Sequence, residues 1–163
     1  MKKVASFLEK EALSRLSEGD GDAFGRTAFN RYYYATFLLV RDALRSFRSE
    51  WTETPHASVP EILRGTIVKE LKKGRRHAEK NEDKPTSSMC YDAIKASEAL
   101  ADLMDKGRRV RVTADYNPEI PIDFTKVGDF KLNAVNVTEA RDWPCKSESF
   151  ILTIKLAWKQ INV

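Results

Sequence analysis

Apolar positions recur at helical spacing along most of this chain. Val4, Phe7, Leu8, Ala12 and Leu16, with Glu9, Lys10 and Arg15 between them, predict an amphipathic helix over residues 4–17. The stretch SEGDGD, residues 17–22, stops it with two glycines and offers Asp22 as the N-cap of the next helix. That second helix spans residues 23–47. Residues 28–40 within it are apolar or aromatic on nearly every face, which marks it as central. A loop with two prolines fills residues 49–60. A short helix over 61–72 carries Ile62, Leu63, Ile67 and Leu71 on its apolar side. Residues 73–86 are charged and interrupted by Gly and Pro, the composition of a flexible loop. A further helix starts near Ser87 or Ser88, with a stripe of Met89, Ala93, Ile94, Ala96, Leu100, Leu103 and Met104. It offers Gly107 as the residue just past its end.

After residue 116 the pattern changes. Pro118 and Pro121 forbid a regular helix. Residues 117–137 read as an irregular or hairpin insertion, with IDFT and FKLNAVNV as strands joined through Gly128. A final helix runs to about Ile161, with Pro144 in its first turn or as a kink, and Thr138 or Ser147 as its cap. The fold class is all-α: an up-down helical bundle with a short β-like insertion, one domain over residues 1–163.

Composition narrows the class further. Hydrophobic residues at 42% and charged residues at 32% describe a globular protein. No apolar run approaches the roughly 20 residues that span a bilayer, and the N-terminal pattern is not that of a signal peptide. Cys90 and Cys145 form no CxxC pair, so reduced thiols in the cytoplasm are expected. His56 and His77 with the two cysteines make no metal-ligand pattern, and no cofactor motif is present.

Arg31 poses the main chemical question, because it sits in the greasiest stretch of the chain, NRYYYATFLLVRDAL. A buried guanidinium needs an acid, since an unpaired buried charge costs several kcal/mol. Asp115 in RVTADY is the candidate partner, with Tyr116 alternatively packing on the tyrosines that include Tyr33. The other arrangement places Arg31 at the helix edge, with its stem packed and its head in water.

The segment FGRTAFNRYYYATFLLVRDAL, followed downstream by RVTADYNP, resembles the HEPN family of small helical proteins. Arg31, Tyr33, Tyr34, Ala35 and Phe37 stand on the first element of the resemblance; Arg111, Ala114, Asp115 and Tyr116 stand on the second. His56 falls where relatives carry a loop histidine. The resemblance implies an HEPN-like fold and a homodimer that binds RNA or an anionic nucleotide ligand. It also implies a toxin–antitoxin or defence setting, and metal-independent RNA cleavage in which an arginine stabilises phosphorane charge and a histidine moves the proton. Arg31, Arg111 and His56 are the residues it would assign to that chemistry. The chain departs from the family's catalytic spacing, Arg followed after four to six residues by His: residues 49–51 are Ser, Glu and Trp, and residues 70–72 are Glu, Leu and Lys. The alternative is a non-catalytic HEPN module that docks a partner protein such as a nucleotidyltransferase.

The net charge of +4 matters only through its clustering. Residues 64–80 and 106–111 are strongly cationic, and Arg41 and Arg45 add a helical stripe. Arg41, Arg45, Arg75, Arg76, Arg108 and Arg109 are the candidate phosphate contacts. Against that stands a plain alternative, a set of solvated helix faces and a charged loop.

Overall fold

A helix that is apolar all round must be surrounded by other chain. In the computed structural model, which describes residues 1–16, 19–124 and 126–162, residues 28–40 form the middle of α2 (Gly21–Phe47). Ala28, Phe29, Tyr32, Tyr33, Phe37 and Val40 are buried there. α1 (Lys2–Ser14) precedes it. A 3-10 turn (Ser49–Trp51), α3 (Val59–Ile62), a π-helical turn (Leu63–Ile67), α4 (Val68–Lys80) and α5 (Lys84–Tyr116) follow. A ribbon of β1 (Lys131–Leu132) and β2 (Val135–Asn136) then leads into α6 (Val137–Ile161). The chain is an all-α helical bundle. The chain forms two compact units, Met1–Phe37 with Lys106–Cys145 and Leu38–Asp105 with Lys146–Val163.

In the first unit α1 presents an unexpected face. Its buried residues are Ala5, Glu9 and Ala12, while Val4, Phe7 and Leu16 are exposed. Glu9 is drawn inward because its carboxylate accepts a 2.6 Å hydrogen bond from the Tyr32 hydroxyl and a bidentate contact from Arg141. Burial, and then the bond to Glu9, pushes the Tyr32 phenol well above its usual range. Gly107 is no helix terminus, since α5 continues to Tyr116. A Cβ at Gly107 would lie 2.9 Å from the Tyr33 ring and 3.4 Å from Trp143, so glycine here admits two buried rings.

The insertion is shorter in β structure than its sequence pattern suggests. Asp123 and Lys131 exchange backbone hydrogen bonds in a single bridge. The ribbon itself turns at Asn133 and Ala134, both with positive φ, in the manner of a tight hairpin. Thr125 of IDFT, and Ser17 and Glu18 of the α1–α2 turn, lie outside the described residues. Asp22 lies within α2 and is not its cap; its carboxylate instead accepts from Arg26 and from the backbone N–H of Ile122.

In the second unit residues 73–86 are not a loop. α4 runs through to Lys80 and α5 begins at Lys84, joined by a turn of three residues. Leu71, Gly74 and Ala78 supply one inward face, which suffices to fix the helix despite its charge. Gly74 gives the closest approach: a Cβ there would lie 2.6 Å from Ile161 of α6. Asp83 starts α5 by accepting the Thr86 backbone N–H at 3.0 Å. Hydrogen bonding from the Thr86 side chain, and then from its backbone N–H, holds the Asp83 carboxyl below the usual range. The core of this unit includes Leu44, Leu63, Ile67, Leu71, Leu100 and Ile154. Pro144 lies inside α6.

Candidate nucleic-acid interface

The deeply packed arginine of α2 is Arg26. Its side chain is 12% exposed, and its Nε bonds the Asp22 carboxylate at 2.5 Å. Its two terminal nitrogens donate to the backbone oxygens of Thr113, Ala114, Asn117, Pro118 and Ile120. The guanidinium thus caps the C-terminus of α5, where orphan carbonyls collect, and pins the irregular segment that follows. Arg31 is half-buried and, among the described residues, has no ion-pair or hydrogen-bond partner. It does not pair with Asp115. Asn30 donates to Asp115 at 2.6 Å, and Arg111 bonds its other oxygen at 2.8 Å. One helical position is a turn of about 100°, so the face of α2 that offers Asn30 to Asp115 turns Arg31 aside. Tyr116 does not join the tyrosine cluster either. It is 66% exposed, with the Arg111 guanidinium 5.4 Å above its ring. Tyr33 is buried against Gly107 and stacks on Phe37.

The three residues implied for catalysis are distributed between the units. Arg31 and Arg111 belong to the first, and His56, half-buried in the loop before α3, to the second. The candidate phosphate contacts are likewise divided. Arg108 and Arg109 are exposed on the first unit; Arg41, Arg45, Arg75 and Arg76 belong to the second. Arg75 is committed elsewhere, bonded to Glu79 at 2.9 Å and lying 5.1 Å over the Tyr91 ring. Arg45 lies 3.5 Å from Asp42. Cys90 is buried, and burial raises its thiol above the usual range, which suits packing better than nucleophilic chemistry.

One feature of the second unit gathers cations. α4 and the last residues of α6 line an open groove. Lys69, Lys72, Lys73, Arg76 and Lys80 are among its lining residues, and among the described residues none of these side chains has an ion-pair or hydrogen-bond partner. The acids of the groove are already engaged. Glu70 lies 4.0 Å from Arg48, and Asp83 caps α5. Arg64, at the groove's other end, is held by Asp102 at 2.5 Å and Asp105 at 2.7 Å. His77 also lines the groove, its Nε2 3.0 Å from the Asn81 amide. Within this groove, among the described residues, the paired cation Arg64 stands apart from the unpaired ones, which follow one another along α4. Of the candidate arginines only Arg76 belongs to this row; its lysines were legible in the i, i+3, i+4 spacing of 69, 72, 73, 76 and 80.

Among the described residues no group of three His, Cys, Asp or Glu side chains is placed to hold a metal ion. No described helix is long and apolar enough to cross a membrane. The chain matches no known family model, and no solved structure matches it. It is 27% identical over 111 residues to a protein of Methanocaldococcus jannaschii named only as uncharacterized. That match covers 63% of the chain and 52% of the other protein, so the chain spans about half the length of the curated relative it matches.

Proposed function

We propose that this chain is an HEPN-like protein that binds RNA or a related anionic nucleotide ligand, and that α4 carries the contact. The observation that supports this most directly is the row Lys69, Lys72, Lys73, Arg76 and Lys80, five cations on one helix with no acid assigned to them. Such a row attracts phosphates by counterion release, a sequence-independent interaction that weakens steeply with salt. Binding without cleavage fits the chain better than nuclease activity. The histidine spacing of active relatives is missing, and Arg111 is occupied by Asp115 and Tyr116. The test is a gel-shift titration of mixed RNA in chelator. Retardation that weakens with salt, is lost in Lys73→Glu/Arg76→Glu and leaves the RNA intact is the expected result. Degradation that His56→Ala abolishes would instead establish an enzyme.

A second reading, a docking module for a partner protein, draws support from α1, whose Val4 and Phe7 face outward at 48% and 59% exposure. Absence of any salt-sensitive RNA shift would favour it.

A further inference from the structure

We infer that the α4 groove reads the sugar–phosphate backbone of a single strand, about five nucleotides long, and leaves the bases unread. This rests on the nucleic-acid reading above and specifies its ligand. The first argument is the arrangement of charge. Lys69, Lys72 or Lys73, Arg76 and Lys80 place one cation on each successive turn of α4. The row rises about 16 Å from Lys69 to Lys80 at 1.5 Å per residue. At roughly 3.4 Å per nucleotide along a stacked strand, that length matches about five phosphates. A single row faces a single strand.

The second argument is what the groove lacks. Proteins that grip single strands by their bases supply exposed aromatic rings as stacking platforms. No Phe, Tyr or Trp lines this groove among the described residues, and its one imidazole, His77, is held 3.0 Å from the Asn81 amide. Tyr91, the exposed ring of α5 in this unit, lies beyond the lining and is already flanked by two cations of this chain, Arg75 at 5.1 Å and Lys95 at 4.3 Å. Nor does the groove present a free carboxylate to accept from base amino groups, since Glu70 faces Arg48 and Asp83 caps α5. The side-chain amides of Asn81 and Asn162 already bond His77 and the Trp158 carbonyl, so a lining dominated by unpaired cations selects phosphates over bases.

The experiment compares three labelled probes by fluorescence anisotropy over a series of salt concentrations, using the full chain. The probes are a 20-nucleotide uridine RNA, an abasic phosphodiester strand of the same length, and a poly-glutamate of equal charge. The RNA and the abasic strand are expected to bind within about threefold of each other, with log K falling against log salt at a slope of about −3.5 for five neutralised phosphates. Lys73→Ala/Arg76→Ala, which removes two solvent-facing cations, should reduce that slope to about −2 for both strands. An abasic strand bound tenfold more weakly than RNA would overturn the inference, because bases would then be read, yet leave RNA binding standing. Poly-glutamate bound as tightly as either strand would overturn it in favour of an acidic protein partner. Failure of both strands to bind would overturn the inference and the proposed function together.

Discussion

Arg26 and Arg31 stand on the same helix and meet opposite fates. A charge inside a greasy stretch predicts a buried, partnered guanidinium, but periodicity alone does not say which arginine turns inward. Arg26 does, because the end of α5 and the segment after it bring five backbone oxygens within reach of its fork, with Asp22 one turn away to balance the charge. Those partners are backbone atoms some ninety residues downstream, and backbone carbonyls carry no sequence signature. The acid expected for Arg31 was legible as a site of pairing, but Arg111 lies four residues before Asp115 on the same helix and holds it locally. Arg26→Ala should therefore lower stability by about 2–3 kcal/mol, since it strands α5 carbonyls while Asp22, being half-exposed, recovers water. Arg26→Lys should rescue little, because an ammonium cannot reproduce a planar fork of donors. Arg31→Ala should stay within about 0.5 kcal/mol, as surface substitutions usually do. Chemical denaturation of the three variants checks the order; equal losses for Arg26→Ala and Arg31→Ala would refute this assignment.

At the level of the element, glycine was the most misleading residue type. Gly107 follows an apolar stripe and precedes a basic run, which is how a helix end reads in sequence. Its role is lateral: it lets the rings of Tyr33 and Trp143 approach the α5 backbone. Gly74 likewise reads as a break inside a charged run, yet serves close packing against Ile161. Composition averages over all faces of a helix, whereas burial needs only one, so residues 73–80 read as a loop although the narrow inward face of Leu71, Gly74 and Ala78 keeps α4 folded through them. The strongly periodic parts, α2 and α6 above all, were legible for the converse reason, that several faces agreed. Adding a methyl at Gly107 should cost up to about 2 kcal/mol net. Overpacking against buried rings costs about 1–3 kcal/mol, and the gain in helix propensity returns about 1. Gly65→Ala, with nothing within 4 Å of its Cβ, should leave stability unchanged or raise it. Thermal denaturation of the pair separates packing from propensity. A Gly107→Ala protein as stable as the parent would mean that the two rings shift freely.

For the whole molecule, a formal charge of +4 from 28 basic and 24 acidic residues suggests near balance, and most ion pairs among the described residues are partly exposed and contribute little each. Balance in the sum conceals imbalance in place. On α4, Lys69 faces Lys73, Lys72 faces Arg76, and Arg76 faces Lys80, each four residues apart, and like charges at that spacing destabilise a helix. Among the described residues no ion pair offsets that repulsion, whereas Arg64, Arg48 and Arg75 nearby all have carboxylates. A local cost without a local return is what a ligand site looks like before its ligand arrives. The cost is measurable without knowing the ligand. Exposed ion pairs weaken as salt rises, so a molecule dominated by them melts earlier. Here screening should relieve the α4 row instead, and the melting temperature should rise by a few degrees between low and physiological sodium chloride. Phosphate at matched ionic strength should raise it further, by mass action on the folded state. Lys73→Ala/Arg76→Ala should start more stable at low salt and lose most of the response. A melting temperature that falls with salt in the parent, or a double variant that keeps the full response, would place the repulsion elsewhere and remove the electrostatic ground for assigning a phosphate ligand to this helix.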